Sequence, residues 1–220
     1  MLRTSAPLSS ALGVMNATDQ SHLTQVESMV HELAKTLVSA WTYLNLLRGL
    51  HEGSRSNPKA LESFSLLFDQ IGWAIFDAFF AKVGTAIDRT PRTHSLPNLV
   101  KHVRKTCGSE HRPFLREVES FLAEKTGPIA KIENWRHQAV AHRPQNLAPD
   151  SFYFDNKLDL AELELAMNQL EQTLNLISLS VLTLHVDAHT GPEAFTTEAW
   201  HMFKLLSEGI ASESQLKEEK

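Results

Sequence analysis

The sequence predicts an all-α fold, a helical bundle with long antiparallel helices and short extra ones. Leu23, Val26, Val30, Leu33, Leu37, Ala40, Leu44 and Leu47 recur three and four residues apart without interruption. Leu160, Leu163, Met167, Leu170, Leu174, Ile177, Val181 and Leu184 repeat the pattern near the other end. Such spacing draws a narrow apolar stripe down one helix face, the form that bundles and coiled coils use. The third observation is composition: nine glycines and nine prolines in 220 residues leave room for long helices. No strand-rich region interrupts them.

The elements follow in order. The first helix runs from near Thr18 to near Gly53. Asn57-Pro58 has the form of an N-cap and first-turn proline. It opens a helix through Leu61, Phe64, Phe68, Ile71, Ile75 and Ala78 to about Asp88. Apolar around much of its circumference from Trp73 to Phe80, that helix is expected to be the central, most buried one. A loop with Pro91 follows, then a short helix from Ser95 to about Lys105. The next spans roughly His111 to Glu124 and breaks at Gly127-Pro128. The chain resumes as helix through Ile129 and Ile132 and stops before Pro144, since the residue ahead of a proline disfavours helical geometry. Phe152-Tyr153-Phe154 is too short for a sheet. Asp159 and Glu162 form a capping box ahead of the second long stripe. A last amphipathic helix covers Phe195 to Ile210. The expected organisation is an N-terminal arm over 1–17, a helical domain over 18–190, a C-terminal helix over 191–212 and a charged tail over 213–220. Whether the two stripes close within one chain or between two is open at this level.

Composition narrows the function classes. A formal charge of −5 argues against a protein that coats nucleic acid indiscriminately, but it permits a local basic site. The single cysteine, Cys107, cannot form an intrachain disulfide, which fits a reducing cytoplasm. No apolar run approaches the roughly 18–20 residues of a membrane span, so no membrane association is expected. The first residues carry one arginine and a broken apolar stretch, Ala11 to Met15, and read as a disordered arm rather than a signal peptide.

One stretch carries chemistry: Trp135-Arg136-His137-Gln138-Ala139-Val140-Ala141-His142. Arginine holds phosphate through a planar fork of donors, and histidine moves protons near neutral pH. Cleavage of a phosphodiester by the neighbouring 2′-hydroxyl needs a base for that hydroxyl, charge stabilisation at phosphorus and a proton for the leaving oxygen. Arg136 is the candidate phosphate clamp and His142 the candidate for proton transfer. His137 is placed to assist or to hold the arginine. Glu133, one turn earlier, is placed to orient His137 or to pair with Arg136. Six residues of straight helix rotate two side chains roughly 240° apart with about 9 Å of rise, so Arg136 and His142 do not meet on one. Either the helix bends or ends between them, or a second subunit brings its own pair alongside, which favours a dimeric site.

The arrangement resembles the Arg-x(4–6)-His signature of the HEPN superfamily, all-helical domains that include RNA-cutting toxins and antiphage effectors. Within it the chain is most similar to the abortive-infection U-type (AbiU2-like) group. Three stretches carry the resemblance: Ile75 through Gly84 to Asp88, the helix start Ser95-Leu96-Pro97-Asn98-Leu99, and Trp135-Arg136-His137 through Ala141-His142-Arg143. The resemblance as a whole extends over roughly residues 20–185. The resemblance implies a homodimer acting as an endoribonuclease on tRNA or mRNA in antiphage defence or a toxin–antitoxin-like system, without a cofactor. An antitoxin or regulatory protein is a further implied partner. Asp88 and Arg143 join as supporting residues. His137 stands where the group more often has asparagine. HEPN toxins controlled by adenylylation carry a tyrosine two residues after the histidine; Pro144 stands there, so that control is not implied. The alternative is a non-catalytic HEPN-like homodimer that binds RNA, nucleotide or a protein partner through the same cleft.

Three other features bear on function. Lys101, His102, Arg104, Lys105, His111, Arg112 and Arg116 stand against Glu110 alone. This local excess either tracks an RNA backbone, with Lys101, Arg104, Lys105 and Arg112 as contacts, or is a solvated face. Asp77, within an apolar run, is expected to be held by a structural partner such as an arginine rather than to catalyse. Among eleven histidines, His185/His189 and Glu133/His137 lie four apart, but no third and fourth ligands stand at familiar spacing, so no metal site is expected.

Overall fold

The computed structural model describes residues 17–107, 111–124, 126–137, 157–188, 197–198 and 200–210. All its regular elements are helices; no strand occurs among the described residues. The first, α1 (Ala17–Ser56), is forty residues long, about 60 Å of continuous helix. Its stripe is the axis of the molecule: Val26, Val30, Leu33, Leu37, Ala40, Trp41 and Leu44 are wholly buried. Each valine and leucine among them contributes roughly 1.5–3 kcal/mol on leaving water. The stripe packs against α3 (Ser65–Ile87), α4 (Leu96–Thr106) and α7 (Leu160–Leu182). Leu163, Met167, Leu170, Leu174 and Ile177 of α7 enter the same core, so the two stripes close within one chain.

The helix expected over 57–88 is two. α2 (Pro58–Ser63) ends at Phe64, whose backbone (φ −124°, ψ 28°) is not helical, and α3 begins one residue later. Asn57 does not cap α2 with its side chain. Because α1 continues to Ser56, its terminal carbonyls lie beside Asn57, whose own N–H already reaches Gly53 O at 3.0 Å. The amide Nδ2 donates to Gly53 O at 3.1 Å, and Oδ1 accepts from Ser207 Oγ at 3.2 Å. The expected burial of α3 holds for its C-terminal half alone. Phe79, Phe80, Val83, Ala86 and Ile87 are in the core, whereas Leu66, Leu67 and Trp73 are exposed. The main core covers the later turns, and the earlier turns touch only a small satellite cluster of Ala60, Phe68 and Phe203. Phe203 comes from a C-terminal helix over 200–210 and stacks on Phe68 with ring centroids 4.4 Å apart. A Cβ at Gly53 would collide with the Phe203 ring, so this approach requires glycine.

α4 buries Leu96, Leu99, Val100 and Val103, and α5 (Arg112–Leu122) buries Leu115 and Val118. α7 starts with the expected capping box: Glu162 N donates to Asp159 Oδ1 at 2.8 Å, and Asp159 N to Glu162 Oε2 at 3.2 Å. The helix stops at Leu182, short of Leu184. Thr183 takes the left-handed conformation (φ 54°) and Leu184 N bonds back to Ser178 O at 3.3 Å. Two side chains of α7 hold the returning segment. Asn175 pairs with both backbone groups of Val186, at 2.7 and 2.8 Å. Glu171 accepts from Ala188 N at 3.1 Å on one oxygen and from the buried Trp41 indole at 3.0 Å on the other. Among the described residues no helix is long and apolar enough to cross a membrane.

Glu171→Ala removes the acceptor shared by two N–H donors, and we expect a loss of about 2–4 kcal/mol in urea unfolding, with Glu171→Gln losing less. Thr183→Gly removes the cost of a β-branched residue at positive φ, and a rise of about 1 kcal/mol is expected in the same assay.

Candidate functional site

The geometry around Arg136 begins with α6 (Pro128–Trp135). Gly127 leads into it with extended backbone, and Pro128 occupies the first turn, where its missing N–H costs nothing. Ile132 and Trp135 are buried. Trp135 meets Phe76 of α3 edge-on at 5.5 Å between centroids and Phe80 at 6.1 Å, which fixes α6 on α3. On its other side Lys131 Nζ reaches Glu162 Oε1 at 2.5 Å and Lys157 O at 3.1 Å, tying α6 to the start of α7. Arg136, the residue after the clamped tryptophan, therefore has a fixed starting point. At Arg136–His137 the backbone opens into a wider, π-type turn. Such turns appear mostly as single bulges, frequently at functional sites.

The Arg136 side chain lies across the backbone of α3 at Gly84. A Cβ there would collide with Arg136 Cδ and Nε. Nη1 donates a long hydrogen bond, 3.4 Å, to Gly84 O. A cation suits this place, near the carbonyl-rich end of α3. Asp88 closes that end. The Thr90 N–H holds its carboxyl below the usual range, against the opposing effect of burial, helped by the Thr90 hydroxyl and the charge of Arg136. The result is a half-buried guanidinium with a carboxylate within electrostatic reach, a group suited to holding a phosphate through two parallel donors.

Of the other sequence-derived residues, His137 is exposed and Glu133 half-buried on α6. His142 and Arg143 lie outside the described residues, as does His189. Lys101 and Lys105 are exposed on α4 and line a cleft with Arg92, His94 and His102. Arg104 is paired with Glu119 of α5 instead. Arg112 begins α5, and its side chain is not among those described. Asp77 is half-buried. Among the described residues no group of three or more histidine, cysteine, aspartate or glutamate side chains could hold a metal ion. Gly84 is the functional position that sequence reasoning passed over. Its signal was a glycine inside an apolar helix, where it costs about 1 kcal/mol against alanine and often marks a close approach.

The profile of the HEPN family AbiU2 matches residues 23–201, from α1 to the C-terminal helix. The chain belongs to this family. The match spans Gly84, Asp88 and the whole Arg136-to-His142 stretch, so the site lies inside the HEPN domain, one of the abortive-infection kind. No curated protein and no solved structure matches the chain.

Gly84→Ala is expected to displace Arg136 while changing stability by no more than about 1 kcal/mol, because alanine improves the helix. Without the nearby cation the Asp88 carboxyl titrates at higher pH, though still below the ordinary value, since Thr90 continues to donate. A carboxyl NMR titration of both proteins reads the change; an unmoved Asp88 would show that Arg136 keeps its place.

Proposed function

We propose that this HEPN AbiU2-family protein is a metal-independent endoribonuclease of antiphage defence or a toxin–antitoxin-like system. The observation that carries the reading is the seating of Arg136 over Gly84, beside Asp88, where α6 opens into its π-type turn. Arg136 clamps the scissile phosphate. His142, six residues on, transfers protons, with His137 beside the arginine and Glu133 and Arg143 in support. The ribose 2′-oxygen bonds to phosphorus as its proton passes to a base. The bond from phosphorus to the 5′-oxygen breaks as that oxygen receives a proton. The products are a 2′,3′-cyclic phosphate and a 5′-hydroxyl, and the chemistry takes no cofactor.

The working unit is a homodimer. The early turns of α3 leave Leu66, 74% exposed, Leu67 and Trp73, 50% exposed, uncovered, with Asp69 and Gln70 among them. Trp73 also lines a groove with Leu47, Phe68, Asp69, Phe76, Trp135 and Leu158, and Trp135 is the residue before Arg136. Monomers rarely leave such a surface bare. A second copy there sets two Arg136 side chains around one cleft.

A second reading draws on the same contacts. Arg136 also staples α6 to the end of α3, the role expected in a non-catalytic dimer that binds RNA, nucleotide or a protein partner. Purified protein incubated with total RNA and tRNA in EDTA separates the two. Wild type is expected to leave cyclic-phosphate ends, and Arg136→Ala/His142→Ala to cut at least about 10²-fold more slowly with its dimer intact. Equal cutting by both proteins rules out the site; cutting by neither supports the binding module. Leu66→Glu/Trp73→Glu is expected to give monomers in sedimentation and to lose cleavage with them.

A further inference from the structure

A second cationic site lies apart from Arg136. Between the N-terminal part of α1, the 88–95 loop and α4 is a cleft of about 350 Å³, at the small end of ligand-binding clefts. Arg92, His94, Lys101 and Lys105 line it, and no aspartate or glutamate does, in a chain whose 26 acidic residues outnumber 21 basic ones. Four cations elsewhere are paired with carboxylates: Lys35 with Glu32, Arg48 with Glu164, Arg104 with Glu119, Lys131 with Glu162. Among the described residues, Arg92, Lys101 and Lys105 make no such pair. Lys101 and Lys105 are one helical turn apart, where like charges repel unless an anion lies between them. Arg92 moreover holds a left-handed backbone, φ 80°, which glycine would take more readily.

His102 is the second observation. It lines the same cleft, yet its Nε2 is buried and has no hydrogen-bond partner. Burial holds this imidazole towards its neutral form, reinforced by the neighbouring charges of His22 and Lys105. A neutral imidazole beside Lys105 spares the cleft a further like charge. No tryptophan, tyrosine or phenylalanine lines the cleft, so a base finds only the His94 and His102 rings and the Arg92 guanidinium to stack on. Three cations with few stacking faces suit a phosphodiester backbone better than a base.

The cleft is joined to Arg136 through one loop. Asp88, within the field of Arg136, receives Thr90 N and Oγ1. Thr90 O in turn accepts from Asn98 Nδ2 at 2.8 Å, and Asn98, also bonded to Thr93, lines the cleft. We propose that this cleft is an exosite that holds the backbone of single-stranded RNA away from the scissile phosphate, with Arg92, Lys101 and Lys105 as its phosphate contacts. The choice of RNA as ligand rests on the function proposed above.

The test is fluorescence anisotropy of the full chain with a labelled 2′-O-methyl RNA, which lacks the cleaving hydroxyl, over a range of salt. Arg92→Gln/Lys101→Gln/Lys105→Gln is expected to bind at least about tenfold more weakly. Its salt slope should flatten by about 2, roughly 0.7 for each phosphate no longer neutralised. Arg55→Gln/Lys59→Gln/Lys204→Gln, with the same net charge, is expected to bind as wild type does. Equal weakening in both triple variants reduces the effect to bulk charge and overturns the exosite. Undiminished binding by the cleft variant overturns it too, and is the result expected if the cleft serves a protein partner. The two proposals fail separately. Lost RNA binding in a protein that cuts no RNA keeps the exosite and removes the nuclease; cutting with undisturbed binding does the reverse.

Discussion

Burial of one stripe of α1 is the constraint from which the molecule is built. Forty residues of helix are far more than local hydrogen bonding stabilises in water, and most of their stability comes from the face they bury. Val26 through Leu44 supply that face, and α3, α4 and α7 each take a share of it. The polar contacts decide where neighbouring pieces stop. Glu171 joins the Trp41 indole to the backbone at Ala188, and Asn175 holds Val186 in place. The stripe supplies most of the energy; these bonds set the register.

The site uses that frame at its least protected edge. α6 is only eight residues long and would not persist alone. It is positioned by Trp135 between Phe76 and Phe80 and by Lys131 at the head of α7. The resulting helix–helix approach is so close at Gly84 that a guanidinium, and no Cβ, fits there. A charge half-buried in this way is kept by three neighbours of different kinds: a backbone carbonyl, the end of a helix, and a carboxylate held ionised by Thr90. Their combined effect is to orient the guanidinium rather than to neutralise it.

Much of this was legible in the sequence because periodicity reports burial directly. The three–four repeats located α1 and α7, and the Asp159/Glu162 spacing located the start of α7 to the residue. The Arg136 stretch was legible as a motif, and a π-type turn stands at Arg136 and His137. The failures share a physical origin, since each depended on a neighbour distant in the chain. Asn57 looked like the cap of the following helix but serves the preceding one, because α1 extends further than its stripe. The run from Trp73 to Phe80 read as apolar around much of its circumference and hence as the most buried helix, yet hydropathy does not say whether a covering surface exists within the same chain. The close approach at Gly84 and the cleft formed by Arg92 and His94 arise from helix packing and a loop, which leave little periodic trace.

Trp135 and Arg136 are consecutive, one in the aromatic clamp and the next at the centre of the site. No hinge separates them. A change in the size of Phe76 or Phe80 that shifts α6 shifts the guanidinium by nearly the same distance. Interior positions usually drift freely within a family provided their total volume is kept. Here that freedom is curtailed, because a substitution neutral for folding is still felt at Arg136. Homologues that exchange these aromatics should therefore carry compensating changes on α6, and the clamp should evolve with the site rather than with the rest of the interior.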